Sequence, residues 1–178
     1  GESVELIPDN SDQTGINKID IISTTNLTDV KITVVKLQNK PENITDPSDK
    51  NIYAYLDLQL SADDEDVDEN SIDTINISFK ILLSWFEAND VNKDSVTLMR
   101  YHDGIWQQLE TTYVSEDTIF AYFTAETPGL STFAITGDFP VEDEFEMPWI
   151  VILLGLIAAI IMVALIVLVK KGVIEIRR

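Results

Sequence analysis

Apolar and polar residues alternate with a period of two along most of the chain before residue 138, the spacing expected of half-buried strands. Ile52–Leu60 (IYAYLDLQL) shows it most clearly. Ile52, Ala54, Leu56, Leu58 and Leu60 fall on one face, and Tyr53, Tyr55, Asp57 and Gln59 on the other. Ile72–Ile81 repeats the pattern, with Ile75, Ile77, Phe79 and Ile81 on one side. Lys18–Ser23 (KIDIIS) and Val30–Leu37 (VKITVVKL) are rich in β-branched residues and read as strands, with a turn at Thr24–Asp29 between them. Ser95–His102 and Ile105–Thr111 flank Asp103-Gly104, a strong hairpin signal. A two-residue turn there sets Tyr101 opposite Trp106 and Leu98 opposite Leu109. Val96, Leu98 and Leu109 then face the core, while Met99, Tyr101 and Trp106 share the outer side. Thr118–Ala125 and Ser131–Thr136 complete the strands, joined by a turn containing Pro128-Gly129.

Between these runs the period breaks. Residues 1–15 form a polar segment with at most a short strand at Val4–Ile7, and Lys40–Lys50 (KPENITDPSDK) reads as a loop. Ser61–Asn70 (SADDEDVDEN) reads as an acidic loop, and Leu82–Ala88 as one or two helical turns. About eight short strands separated by turn signals predict a mostly β body over residues 16–137. The predicted architecture is an antiparallel, immunoglobulin-like β-sandwich, with a closed barrel as the alternative.

A different pattern follows an acidic linker over residues 138–148. Trp149–Val169 holds twenty-one residues without a charge and is followed at once by Lys170 and Lys171. As a helix it covers about 31 Å, close to the hydrocarbon thickness of a bilayer, and backbone amides in lipid must bond within their own segment. A single-pass transmembrane helix is predicted, with Pro148 at its start and Trp149 as an interfacial aromatic. Residues 170–178 carry four basic groups and one acid, net +3. Basic residues beside a span favour the cytoplasmic side, so the tail is placed inside the cell membrane and the β body outside. Gly155 and Ala159 form a small-xxx-small pair through which two such helices could associate.

Charge narrows the functions open to the body. Residues 1–148 hold eight basic and thirty acidic side chains, net −22. Such a surface opposes nucleic acid and favours solubility in salt or cation-bridged contacts. The chain has no cysteine, which excludes disulfides, thiolate nucleophiles and sulfur-ligated metals. Its opening GESVELIPDN has no basic or apolar leader, so Gly1 is either a mature N-terminus or the start of a fragment.

The run SWFEANDVNKDSVTLMRYHDGIWQQLET and the later YFTAETPGLSTFAITG resemble the PGF-pre-PGF domain of archaeal cell-surface proteins; IYAYLDL and INISFKI fit the same pattern. The resemblance spans about residues 16–137 and rests most on RY-x-x-G-x-W and TPG-x-S-x-FAI. Family members typically carry Phe where this chain has Leu130. They often carry a Pro-Gly-Phe signal, read by a sorting enzyme, before a helix that is then removed. No such tripeptide precedes Trp149, which implies a retained anchor. The resemblance implies an S-layer-associated structural protein without catalytic activity, whose partners are the lipid bilayer and neighbouring surface-layer or envelope proteins. The competing class is a binding module, an adhesin or accessory envelope subunit, using an aromatic face around Tyr53, Tyr55, Tyr101 and Trp106.

Candidate chemistry is sparse. His102 is the single histidine and adjoins Asp103 at the hairpin turn, and no G-x-S-x-G elbow supplies a nucleophile for a triad. No catalytic residue and no cofactor is assigned. A calcium reading attaches to two acidic clusters: Asp63, Asp64, Glu65, Asp66, Asp68 and Glu69, and Asp90-x-Asn92-x-Asp94. Ser95 and Tyr101 stand where an EF-hand requires Gly and Glu, so any such site is looser than an EF-hand. Solvated loops are the plainer account of both. Three N-x-S/T sequons, at Asn43, Asn26 and Asn76, are candidate glycan acceptors, the first in the most loop-like context.

Overall fold

The computed structural model describes residues 2–139 and 149–171, which fall into two units that are treated separately. The linker from residue 140 to 148, including Pro148, and the tail from residue 172 lie outside the described residues.

The first unit runs β1 (Glu2–Leu6), α1 (Ser11–Thr14), β2 (Ile16–Ser23), β3 (Lys31–Leu37), β4 (Lys50–Ala62), β5 (Glu65–Asp66) and β6 (Ile72–Leu82). It continues with α2 (Leu83–Asn89), β7 (Thr97–His102), β8 (Ile105–Gln108), β9 (Thr111–Glu116), β10 (Phe120–Thr127) and β11 (Thr132–Asp138). Every strand pairing is antiparallel. One sheet has the order β1-β2-β6-β10-β9 and the other β3-β4-β11-β7-β8, with β5 beside β4. The strands therefore form two open sheets and not one closed barrel.

The alternation read from the sequence explains how these sheets meet. Ile19, Ile21, Ile75, Ile77, Phe79, Ile81 and Phe123 of the first sheet pack in one apolar cluster with Leu56, Leu58, Leu98, Phe133 and Ile135 of the second. Within it Phe79 and Phe123 stack with ring centroids 5.5 Å apart. Loss of water from these side chains is the main stabilising term, at about 25 cal/mol per Å² of apolar surface buried. The helical turns expected after β6 form as α2, whose Phe86 reaches the same core.

Several local expectations change. The N-terminal segment is structured: β1 pairs with β2 from Glu2↔Ser23 to Leu6↔Ile19, and α1 follows. The Asn10 side chain before α1 donates to the Val34 carbonyl at 2.7 Å, covering part of the free edge of β3. The acidic loop is a hairpin, with Ser61 opposite Asp66 across a turn in which Asp63 and Asp64 both have positive φ. Asp103 and Gly104 share that geometry, and Tyr101 faces Trp106 as expected. The run Ile105–Thr111 is not one strand. After Gln108 the chain leaves the second sheet, and from Thr111 it joins the first as β9. The crossing is held by the Leu109 N–H on the Leu98 carbonyl (3.0 Å) and the Leu98 N–H on the Thr111 hydroxyl (2.9 Å).

β4 departs from the expected faces at its start. Ile135 pairs with Ala54 but Thr136 pairs with Ile52, so Tyr53 is the extra residue of a bulge. The bulge exchanges the sides of its first residues. Tyr53 turns to the main core and packs edge-on against Trp85, while Ile52 joins a small cluster with Tyr55, Met99, Ala134 and Trp106 on the far side of the sheet.

Gly137, near the end of β11, is set by close approach. A Cβ there would lie 2.4 Å from Val91 Cγ1 and 3.3 Å from Trp85 Cη2. Gly137→Ala is expected to cost about 1–3 kcal/mol through overpacking, read as a lower urea midpoint at unchanged m-value.

Candidate functional site

The second unit supplies the plainest functional feature. α3 (Trp149–Lys170) is twenty-two residues long and spans about 33 Å at ~1.5 Å per residue. It is long and apolar enough to cross a membrane. Its described side chains, Ile150 and Leu153 through Lys170, are all exposed, on every side of the helix. In water this would leave a continuous apolar surface far larger than soluble proteins tolerate. Among the described residues, nothing lies within 4 Å of where a Cβ on Gly155 would stand.

On the body, the expected aromatic face is not brought together as one surface. Tyr101 and Trp106 meet edge-on at 5.2 Å, and Tyr55 lies 6.1 Å from Trp106. Tyr53 is absent from that group because the β4 bulge turns it inward. The loop Lys40–Lys50 closes over Tyr55 and Trp106. Trp106 Nε1 donates to the Thr45 carbonyl at 2.6 Å, and the Tyr55 hydroxyl donates to Asp46, which also pairs with Lys40. Tyr55 is 9% exposed. Burial, then the Asp46 carboxylate, raise its pKa, and its O–H with Lys40 holds Asp46 below the ordinary range. These rings act as the seat of a loop.

Sequence reasoning quoted Arg100 within RY-x-x-G-x-W but gave it no place in the fold. It is 2% exposed on β7, and its Nη2 pairs with Glu69 in the 3-10 turn Glu69–Ser71. Its Nε has no hydrogen-bond partner among the described residues. Gly129 crowds the pair, since a Cβ there would stand 2.6 Å from Glu69 Oε1 and 2.8 Å from Arg100 Nη2. Beside them opens a cleft of about 460 Å³, lined by Asp57, Leu60, Glu69, Tyr101, Leu130 and Thr132 among others. The ion pair ties the turn before β6 to β7, an interior strand of the second sheet. The available signal was a basic residue inside the otherwise apolar VTLMRY, which alternation alone does not assign to a side.

The acidic candidates are spread among local structural tasks. Asp63 accepts from the Thr28 hydroxyl at 2.6 Å, and Asp64 from Lys31 at 2.7 Å. Asp68 caps the Glu69–Ser71 turn by accepting the Asn70 N–H at 3.0 Å, while Glu65 and Asp66 are exposed in β5. Asp90 ends α2 with positive φ, and Asn92 accepts the Asp94 N–H at 3.0 Å. Among the described residues, no group of three or more His, Cys, Asp or Glu converges as a metal would require. His102 Nε2 lies 3.4 Å from Asp103 Oδ2 at the exposed end of the β7–β8 hairpin.

Asp117 controls the turn between β9 and β10. Its Oδ1 accepts the backbone N–H groups of Ile119 (2.7 Å) and Phe120 (2.8 Å), and its Oδ2 the Tyr122 hydroxyl (2.6 Å). The Tyr122 O–H first, then the two N–H groups, lower its pKa. A carboxyl with a lowered folded pKa adds stability above its unfolded value, near 4, and loses it as pH falls through the folded value. Tyr122→Phe removes the leading cause. NMR titration is expected to show the Asp117 midpoint moving up towards ordinary carboxylates, and the turn loosening at a higher pH than in the unsubstituted protein.

Comparison of the chain with family models, characterised proteins and solved structures gave no match.

Proposed function

We propose that this is a non-catalytic, membrane-anchored cell-surface protein. Its immunoglobulin-like body stands outside a cell membrane and tethers or supports a surface layer or envelope assembly. The observation that carries the reading is α3: a twenty-two-residue helix whose described apolar side chains are exposed on all sides, which lipid would cover. Lys170 and Lys171 at its end support a cytoplasmic tail and an exterior body. The surface-layer role and an archaeal source rest on the resemblance of residues 16–137 to the PGF-pre-PGF domain. The role is mechanical: the helix resists extraction while the acidic body contacts its neighbours.

Coverage of Tyr55 and the tie on Trp106 favour such a scaffold over a binding module built on exposed rings. Protease added to intact cells is expected to digest the body and leave a membrane-bound fragment of about the helix and tail. A body digested after lysis but not before would contradict the exterior placement.

A further inference from the structure

The structure separates the three sequons by what their side chains already do. Asn43 is exposed at an apex with φ +66°, between Pro41 and Asp46. The chain is pinned after this apex by the Trp106 bond to the Thr45 carbonyl and the Tyr55 bond to Asp46, and Lys40 reaches Asp46 from before it. Neither the Asn43 amide nor the exposed Thr45 hydroxyl is engaged by another described residue. Asn26 is exposed as well, but the hydroxyl of its sequon, Thr28, is committed to Asp63 at 2.6 Å. Asn76 lies within β6, paired across to Asp20 on one side and Glu126 on the other, and Ser78 of its sequon is paired with Lys18 and Thr124.

A transferring enzyme must reach the amide and the hydroxyl together, on chain whose backbone is not tied on both sides by a sheet ladder. A central strand offers neither, since its backbone donors and acceptors serve two neighbours. We propose that Asn43 is the principal N-glycan acceptor of this protein and that Asn76 stays unmodified; the proposal rests on the exterior placement of the body. The co-substrate is a sugar chain activated as a lipid-linked phosphate ester. The Asn43 Nδ2 bonds to the anomeric carbon while the carbon–oxygen bond to phosphate breaks. The electron pair departs on the lipid phosphate, and the amide proton passes to a base of the enzyme. The product adds a hydrophilic chain above the loop that covers Tyr55 and Trp106.

The test is intact-mass analysis and glycopeptide mapping of the full chain purified from its native membranes. Asn43→Gln, Thr45→Val, Thr45→Ser and Asn76→Gln variants are expressed in the same cells. One glycan mass is expected to be lost from Asn43→Gln and Thr45→Val and kept in Thr45→Ser and Asn76→Gln. An impermeant amine-reactive label on intact cells reads the placement of the body in parallel. A body that labels from outside but carries no sugar at Asn43, or carries it chiefly at Asn76, overturns the assignment alone. A body shielded from the label overturns the exterior placement and the assignment with it.

Discussion

Phe79→Ala is expected to destabilise the β body by about 3–5 kcal/mol, the usual cost of emptying a large aromatic site in a packed core. Phe79 is fully buried on β6, the middle strand of its sheet, and stacks on Phe123. Its removal takes away transfer free energy and leaves a cavity between two sheets that strand pairing holds in place. Domains of this size are stable by about 5–15 kcal/mol, so the variant is left with a small margin or none. Urea denaturation followed by tryptophan fluorescence measures this directly. Leu82→Ala, three residues on and 39% exposed, is the matching control and is expected to change stability by less than about 0.5 kcal/mol. Equal effects from the two would mean that the core lies elsewhere.

The second large effect concerns α3. Truncation after Asp138 is expected to move the protein from the detergent phase to the aqueous phase while the body keeps its cooperative unfolding. Leu, Ile and Val each favour the bilayer by about 0.3–0.6 kcal/mol at a helix centre, so fifteen of them in Trp149–Val169 contribute on the order of 5–9 kcal/mol. The apolar cluster shared by the body's two sheets is described for residues between Leu6 and Ile135. Detergent-phase partitioning of the two forms, together with a thermal unfolding curve for the truncated one, reads both parts of this expectation. Loss of cooperative unfolding in the truncated form would show that the helix is part of the body's core.

Much of this architecture was legible because burial of one sheet face writes itself into alternate residues. Ile75, Ile77, Phe79 and Ile81 announced β6, and Asp103-Gly104 announced its hairpin through the positive φ that turn requires. The misses have equally physical causes. Asp63-Asp64 makes the same turn with two residues that pay more for positive φ than glycine does, so composition pointed to a loop. The bulge at Tyr53 is invisible to a period of two, because the extra residue falls where the sequence still alternates. β9 (TTYVSE) lies at a sheet edge with most of its side chains exposed, so no apolar face marked it. The burial of Arg100 was not legible because its partner, Glu69, is thirty-one positions away. The three sequons were legible as tripeptides, but their separation needed the hydrogen bonds of Thr28 and the ladder around Asn76.

Lipid flotation reads the central claim most directly. Purified full-length chain is mixed with lipid in detergent, the detergent is removed, and the vesicles are washed at high pH and spun through a density gradient. The chain is expected to rise with the lipid and remain there after the wash. Folded, uncleaved chain left at the bottom of the gradient and soluble without detergent would contradict a membrane-spanning α3.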